Sequence, residues 1–140
     1  MDVIRLAEIR DTPLSVDEVR IAVMDPAAGG IALFAGVVRD HDEGRDVTAL
    51  SYTAHPSAVD ELRRSAERIA AAHKVRAIAA VHRVGDLAIG DLAVVVAVSS
   101  DHRAQALDAC HAFIDDLKDT VPIWKHQLFP GGGSEWVNSA

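Results

Sequence analysis

The chain has 140 residues, 49% apolar and 25% charged, a balance that excludes extensive disorder and fits one globular domain over residues 1–140. Fourteen basic against 21 acidic residues leave a net charge of −7, a poor footprint for neutralising a phosphate backbone, so no nucleic-acid partner is expected. The single cysteine, Cys110, excludes an internal disulfide and a multi-cysteine zinc site. No apolar run approaches the ~20 residues of a bilayer span and the charged opening MDVIRLAEIR is no secretory signal, so the expected compartment is the cytoplasm, without a membrane partner.

In chain order, residues 3–9 are apolar and β-branched enough for a strand. Ser15 with Glu18 forms a capping-box pattern, and Leu14 with Val19 a hydrophobic staple, which start a short helix ending near Asp25-Pro26. After a Gly29-Gly30 turn, residues 31–39 read as an apolar strand, Asp40 to Asp46 as a solvated polar loop, and 47–53 as a strand pairing antiparallel with the one before. Pro56-Ser57 opens a second helix whose buried face is read as Val59, Leu62, Ala66 and Ile69, with His73 at its end. Strands at 77–84 and 91–99 are separated by Gly85-Asp86 and Gly90-Asp91 turns. Ser99-Ser100-Asp101 caps a third helix to about Lys118, with an apolar stripe of Leu107, Cys110, Ile114 and Leu117. Pro122 stops that helix, 123–129 is extended, and Pro130 to Ser134, including Gly131-Gly132-Gly133, is a connector before Trp136-Val137. The order of elements is α+β.

Three segments carry candidate chemistry. His102 and Arg103 stand in the first turn of a helix, where the dipole repels cations; either a bound anion reverses that penalty, or Asp101 offsets the charge and both side chains face water. Lys118 and Lys125 are two of only three lysines among 14 basic residues. An amine serves as base or nucleophile only when desolvation or neighbouring cations lower its pKa, which arginine cannot imitate; the alternative is two solvated lysines. Arg39, at the end of an apolar strand, is suited to holding a phosphate in a bidentate grip, or equally to facing solvent. Cys110, on a helix stripe, reads as a core thiol, and His82 as a packed or exposed strand residue. The acidic run after Arg39 has no recognised metal spacing, so no metal is expected.

Taken in order, Phe34-Ala35-Gly36-Val37-Val38-Arg39-Asp40-His41, His82-Arg83-Val84-Gly85-Asp86-Leu87 with Gly90-Asp91, Val98-Ser99-Ser100-Asp101-His102-Arg103, Asp116-Leu117-Lys118 and Pro122-Ile123-Trp124-Lys125 resemble the large, catalytic subunit of molybdopterin synthase. The resemblance runs unbroken from about residue 30 to Val137. It implies an α/β hammerhead with an additional antiparallel β region. The implied activity is sulfur transfer: cyclic pyranopterin monophosphate becomes molybdopterin, in molybdenum cofactor biosynthesis. Both sulfurs come from the C-terminal glycine thiocarboxylate of a small ubiquitin-like subunit, so no metal or redox cofactor is required. The large subunit would form a homodimer within a heterotetramer. By matching position, Arg39, His102, Arg103, Lys118 and Lys125 would form the substrate pocket, with His102 and Arg103 supplied by the second protomer and Lys118 and Lys125 as the essential amines. Val37, Val38, His126 and Gln127 occupy neighbouring contact positions. Two other readings compete: a non-catalytic module that binds a ubiquitin-like tail or a phosphorylated metabolite, and a hydrolase with Cys110 or a histidine as nucleophile.

Overall fold

In the computed structural model, which describes residues 2–42, 44–130 and 133–138, the longest apolar run becomes the central strand. The elements in chain order are β1 (Ile4–Arg10), α1 (Val16–Ala22), β2 (Gly30–Val37), β3 (His41–Asp42), β4 (Arg45–Asp46), β5 (Ala49–Ala54) and α2 (Ala58–Ala72). Then follow β6 (Ala77–Arg83), β7 (Gly85–Leu87), β8 (Leu92–Ser100), α3 (Arg103–Thr120), β9 (Ile123–Leu128) and β10 (Ser134–Asn138). The four-stranded first sheet runs β1-β6-β8-β2, parallel only between β1 and β6. Strand β8 is apolar on both faces because helices cover both: Val94, Val96 and Val98 pack with α2 and α3, and Val95 and Ala97 with α1. A second sheet, β10-β9-β5-β7, is antiparallel throughout, and β3 and β4 pair as a short hairpin. The fold is α+β, with the second sheet as the additional antiparallel region.

Strands 31–39 and 47–53 do not pair with each other, contrary to the sequence reading. Strand β2 instead takes β8 as its neighbour, and β5 pairs with β9 and β7 in the other sheet. The reason is packing: β2 gives Ala32 to the core under α2 and α3 and Leu33 to the opposite face under α1, whereas Leu50 of β5 packs in a separate cluster with Val38, Leu87 and Ala93. The segment between them is solvated as expected at Asp40, His41, Gly44, Arg45 and Asp46, but it is ordered as the β3–β4 hairpin, with Val47 donating to the Asp40 carbonyl and Asp42 drawn into the protein. Glu43, within that acidic run, lies outside the described residues, as do Gly131 and Gly132 of the expected connector.

Both long helices bury most of the expected stripe, Leu62, Ala66 and Ile69 in α2 and Cys110 and Leu117 in α3 with Ile114 packed against the core, and each leaves one expected residue exposed. In α2, Ala58, Leu62, Ser65, Ala66 and Ile69 are buried and Val59 is exposed. In α3, Ala106, Ala109, Cys110, Phe113 and Leu117 are buried, while Leu107 is 60% exposed. Alanines on the inner faces let the helices approach closely, and alanine carries little hydrophobic signal of its own. The Ser15 cap forms as expected, its side chain accepting from the Glu18 amide, but the Glu18 carboxylate turns to Arg10 and leaves the capping box half made. The expected Asp101 cap of α3 is absent. Asp101 forks onto Arg76, which holds its carboxyl below the ordinary range, and His102 becomes the N-cap with its amide donating to Gln105. Gly85 and Gly90 adopt left-handed φ values of 94° and 90°, as the two turns between strands require.

His82 in β6 is 1% exposed. Its Nδ1–H donates to the Arg83 carbonyl at 2.7 Å, which leaves Nε2 buried and without a partner among the described residues. Burial pushes its pKa down to about 4, whereas the unfolded chain takes up that proton near 6.5. Protonation therefore favours unfolding as pH falls from 6.5 towards 4, by up to about 3 kcal/mol. Urea-unfolding midpoints measured across that window should fall more steeply for the wild type than for His82→Gln; equal slopes would refute the assignment.

Candidate functional site

Helix α3 lies on the first sheet and the chain then enters the second sheet almost at once. Val121 closes the helix by donating to the Leu117 carbonyl, Pro122 has no amide hydrogen to continue it, and Ile123 begins β9. This short passage holds Lys118, in the last helical turn, and Lys125, in β9, beside the same cavity of about 430 Å³ between the sheets. Arg39 enters it from the end of β2. Two cations from this passage and one from far earlier in the chain thus meet in one opening of a size that suits a small ligand.

Each is positioned by identifiable contacts. Asp116, two residues before Lys118, accepts from Ser65 at 3.0 Å and from the Arg68 Nε–H at 3.0 Å, which ties the end of α3 to α2. Arg39 is 63% exposed and reaches Asp42 at 3.0 Å. The other Asp42 oxygen accepts from buried Gln127 at 2.8 Å. That bond, followed by the charges of Lys125 and Arg39, holds the Asp42 carboxyl below the usual range. Lys125 stands opposite Tyr52 in the β5–β9 register and is half-buried, whereas Lys118 is exposed. Gly36 lies on the cavity wall, where an added Cβ would come within 2.8 Å of Val94.

The remaining sequence candidates are placed differently. Val37 lines the cavity, while Val38 is buried beneath it against Leu50, Leu87 and Ala93. Gln127 shares the Lys125 face of β9 but is turned to Asp42. His126 alternates to the opposite face, where its ring stacks on Trp136 at 4.3 Å and borders a separate hollow with Ser51 and Asp86. His102 and Arg103 are exposed at the far end of α3. At 1.5 Å per residue this end is about 22 Å from Lys118 along the helix, so within one chain the pair does not join the cavity. Two participants escaped the sequence reading, Asp42 and Tyr52. Asp42 gives no spacing signal, but Tyr52 is the only tyrosine of the chain. Among the described residues no group of three or more His, Cys, Asp or Glu is poised to hold a metal ion, and no helix is long and apolar enough to cross a membrane.

The arrangement defines a class first: an α+β protein whose two sheets enclose a cationic, partly apolar cavity able to hold a small anion. The family model described as "MoaE protein" matches residues 9–120. The molybdopterin synthase catalytic subunit 1 of Mycobacterium tuberculosis is 49% identical over 134 residues, covering 92% of this chain and 88% of that one. The molybdopterin synthase catalytic subunit of Bos taurus is 42% identical over 88% of this chain, which spans 66% of the bovine length. A solved molybdopterin synthase from Staphylococcus aureus superposes with a TM-score of 0.87 at 34% identity, covering 93% of this chain and 95% of that one. A protein–protein complex of subunits 1 and 2 of the molybdopterin-converting factor from Helicobacter pylori shares the fold, with a TM-score of 0.68 at 23% identity over 92% of this chain and 86% of that one. The chain belongs to the MoaE protein family of molybdopterin synthase catalytic subunits.

Cys110 lies in the core cluster with Phe113 and Leu117, and burial pushes its thiol up to about 11. A thiol so held is a poor nucleophile. A disulfide reagent should modify the native chain at least about 100-fold more slowly than the unfolded one, measured by thiolate release. Reaction at the rate of a free thiol would restore Cys110 as a nucleophile candidate.

Proposed function

We propose that the chain is a sulfurtransferase that converts cyclic pyranopterin monophosphate to molybdopterin, taking two sulfurs from the C-terminal thiocarboxylate of a small ubiquitin-like subunit. The observation that carries this reading is the convergence of Arg39, Lys118 and Lys125 on one cavity in a chain of net charge −7. Membership in the family supports it, as does a relative of the same fold that is a complex of subunits 1 and 2. Arg39 grips the substrate phosphate. Sulfur transfer develops negative charge on oxygen at the reacting carbon, and fixed cations in a shielded site stabilise such charge most strongly. Lys118 performs this role or takes the proton from that carbon; Lys125 orients the thiocarboxylate and assists opening of the cyclic phosphate. Val37 borders the reacting groups, Val38 supports that wall from the core beneath it, and His126 and Gln127 support the Lys125 strand. The sulfur arrives already activated, so the reaction requires no metal or redox cofactor.

Lys118 is exposed in the single chain, so the site needs a cover before an amine there can act as a base. The incoming tail supplies one side of it and a second protomer the other. In this reading His102 and Arg103 of one protomer complete the cavity of its partner in a homodimer, which carries a small subunit at each end. The whole chain acts as one domain, in the cytoplasm.

Lys118→Ala should slow single-turnover dithiolene formation with thiocarboxylated small subunit by about 10²-fold while the dimer persists. Lys118→Arg should rescue it poorly, because arginine cannot give up a proton at neutral pH. Near-normal transfer by Lys118→Ala removes its catalytic role, and no product from the wild type removes the enzyme reading in favour of a binding module. Arg103→Ala should also lose transfer, and mixing it with Lys118→Ala tests the shared site: random dimers would regain about a quarter of the wild-type sites, whereas no recovery removes Arg103 from the partner's cavity.

A further inference from the structure

The three cations account for the charged parts of a substrate but not for its uncharged heterocycle. A cavity lined by fixed positive charge alone would accept many small polyanions. One neutral polar side chain stands among these cations: Tyr52, on β5, directly across from Lys125 and from Gly85, which offers no side chain to crowd it.

The tyrosine is held from behind by the other sheet. Its ring meets the His82 imidazole edge to face, with centroids 4.9 Å apart and an interplanar angle of 78°. His82 is itself fixed by the bond from Nδ1–H to the Arg83 carbonyl. The contact therefore braces Tyr52 at the seam between the sheets, with an aromatic pair of favourable geometry. Burial pushes the phenol up, so Tyr52 stays neutral in a cavity it shares with three cations. Phe34 supplies a second aromatic surface in the same cavity.

We propose that Tyr52 is the residue that reads the heterocycle: its hydroxyl hydrogen-bonds to a heteroatom of the fused pterin ring, and its braced ring bounds the position of the bicycle. This rests on the reading of the cavity as a phosphorylated-pterin site. Arg39, Lys118 and Lys125 then set affinity for anions in general, and Tyr52 sets the preference for a pterin over other phosphates. A neutral phenol suits this task because it donates and accepts at once, as the amide-like edge of a pterin requires. A lysine in its place would only donate and would add to the unselective field.

Calorimetric titration of the dimer with cyclic pyranopterin monophosphate and, separately, with inorganic phosphate tests the proposal. Tyr52→Phe keeps the ring and the His82 contact and removes one hydrogen bond. It should weaken the pterin phosphate by about five- to tenfold and change inorganic phosphate by less than about twofold. Arg39→Ala, by contrast, should weaken both ligands. Unchanged pterin affinity in Tyr52→Phe, or an equal loss for both ligands, overturns the assignment while the site reading stands. A wild-type protein that binds inorganic phosphate but not the pterin phosphate overturns the site reading and this assignment with it.

Discussion

Helix α3 packs its inner face on the first sheet, through Ala106, Ala109, Phe113 and Leu117, and the chain has only Val121 and Pro122 in which to pass to the second sheet. Val121 and Ile123 are both buried at this passage, and the Pro122 carbonyl accepts from His55 at the end of β5. The end of the helix and the start of β9 are therefore locked to each other and to both sheets. Everything proposed for the site depends on this constraint, because it sets Lys118 and Lys125 beside one opening with little freedom between them. A longer connector would let the two amines move independently of each other.

Placing cations near one another opposes folding unless acids or solvent offset the repulsion, and the surroundings provide both. Asp42 bridges Arg39 and Gln127 at the mouth, and the body of the protein is acidic. The cavity is nevertheless open enough that the cations are only partly neutralised in the single chain. That unfinished balance is what an anionic ligand would complete, and it agrees with a pocket closed by other chains. The apolar lining serves a separate purpose. Gly36 lets β2 lie close to Val94 where a side chain would collide, and Tyr52 gives the wall a neutral, directional group.

Much of the fold was legible from local patterns. The capping serine of α1, the left-handed glycines at 85 and 90 and the doubly buried run of β8 each follow from short-range chemistry. The errors share a cause. Sequence order suggests β5 as the neighbour of β2, but pairing is chosen by which apolar faces need cover, and β2 pairs with β8. The helical stripes hold at Leu62, Ile69, Cys110 and Leu117, but Val59 and Leu107 face outward, and the remaining inner contacts run through Ala58, Ser65, Ala106, Ala109 and Phe113. Small residues decide close approach, yet a hydrophobic pattern scarcely records them.

The same division holds for the site. Residue types alone identified the scarce amines, the arginine ending an apolar strand and the unreactive cysteine, because ionisation and nucleophilicity are properties of individual side chains. The ordered motifs identified the family. Which of those groups meet was decided only by the tertiary structure. Lys118, Lys125 and Arg39 share a cavity, His126 turns away by strand alternation, and His102 and Arg103 sit at the opposite end of a rigid helix. Convergence depends on how sheets and helices stack in space, and that stacking is a sum of many weak contacts that no single segment of sequence contains.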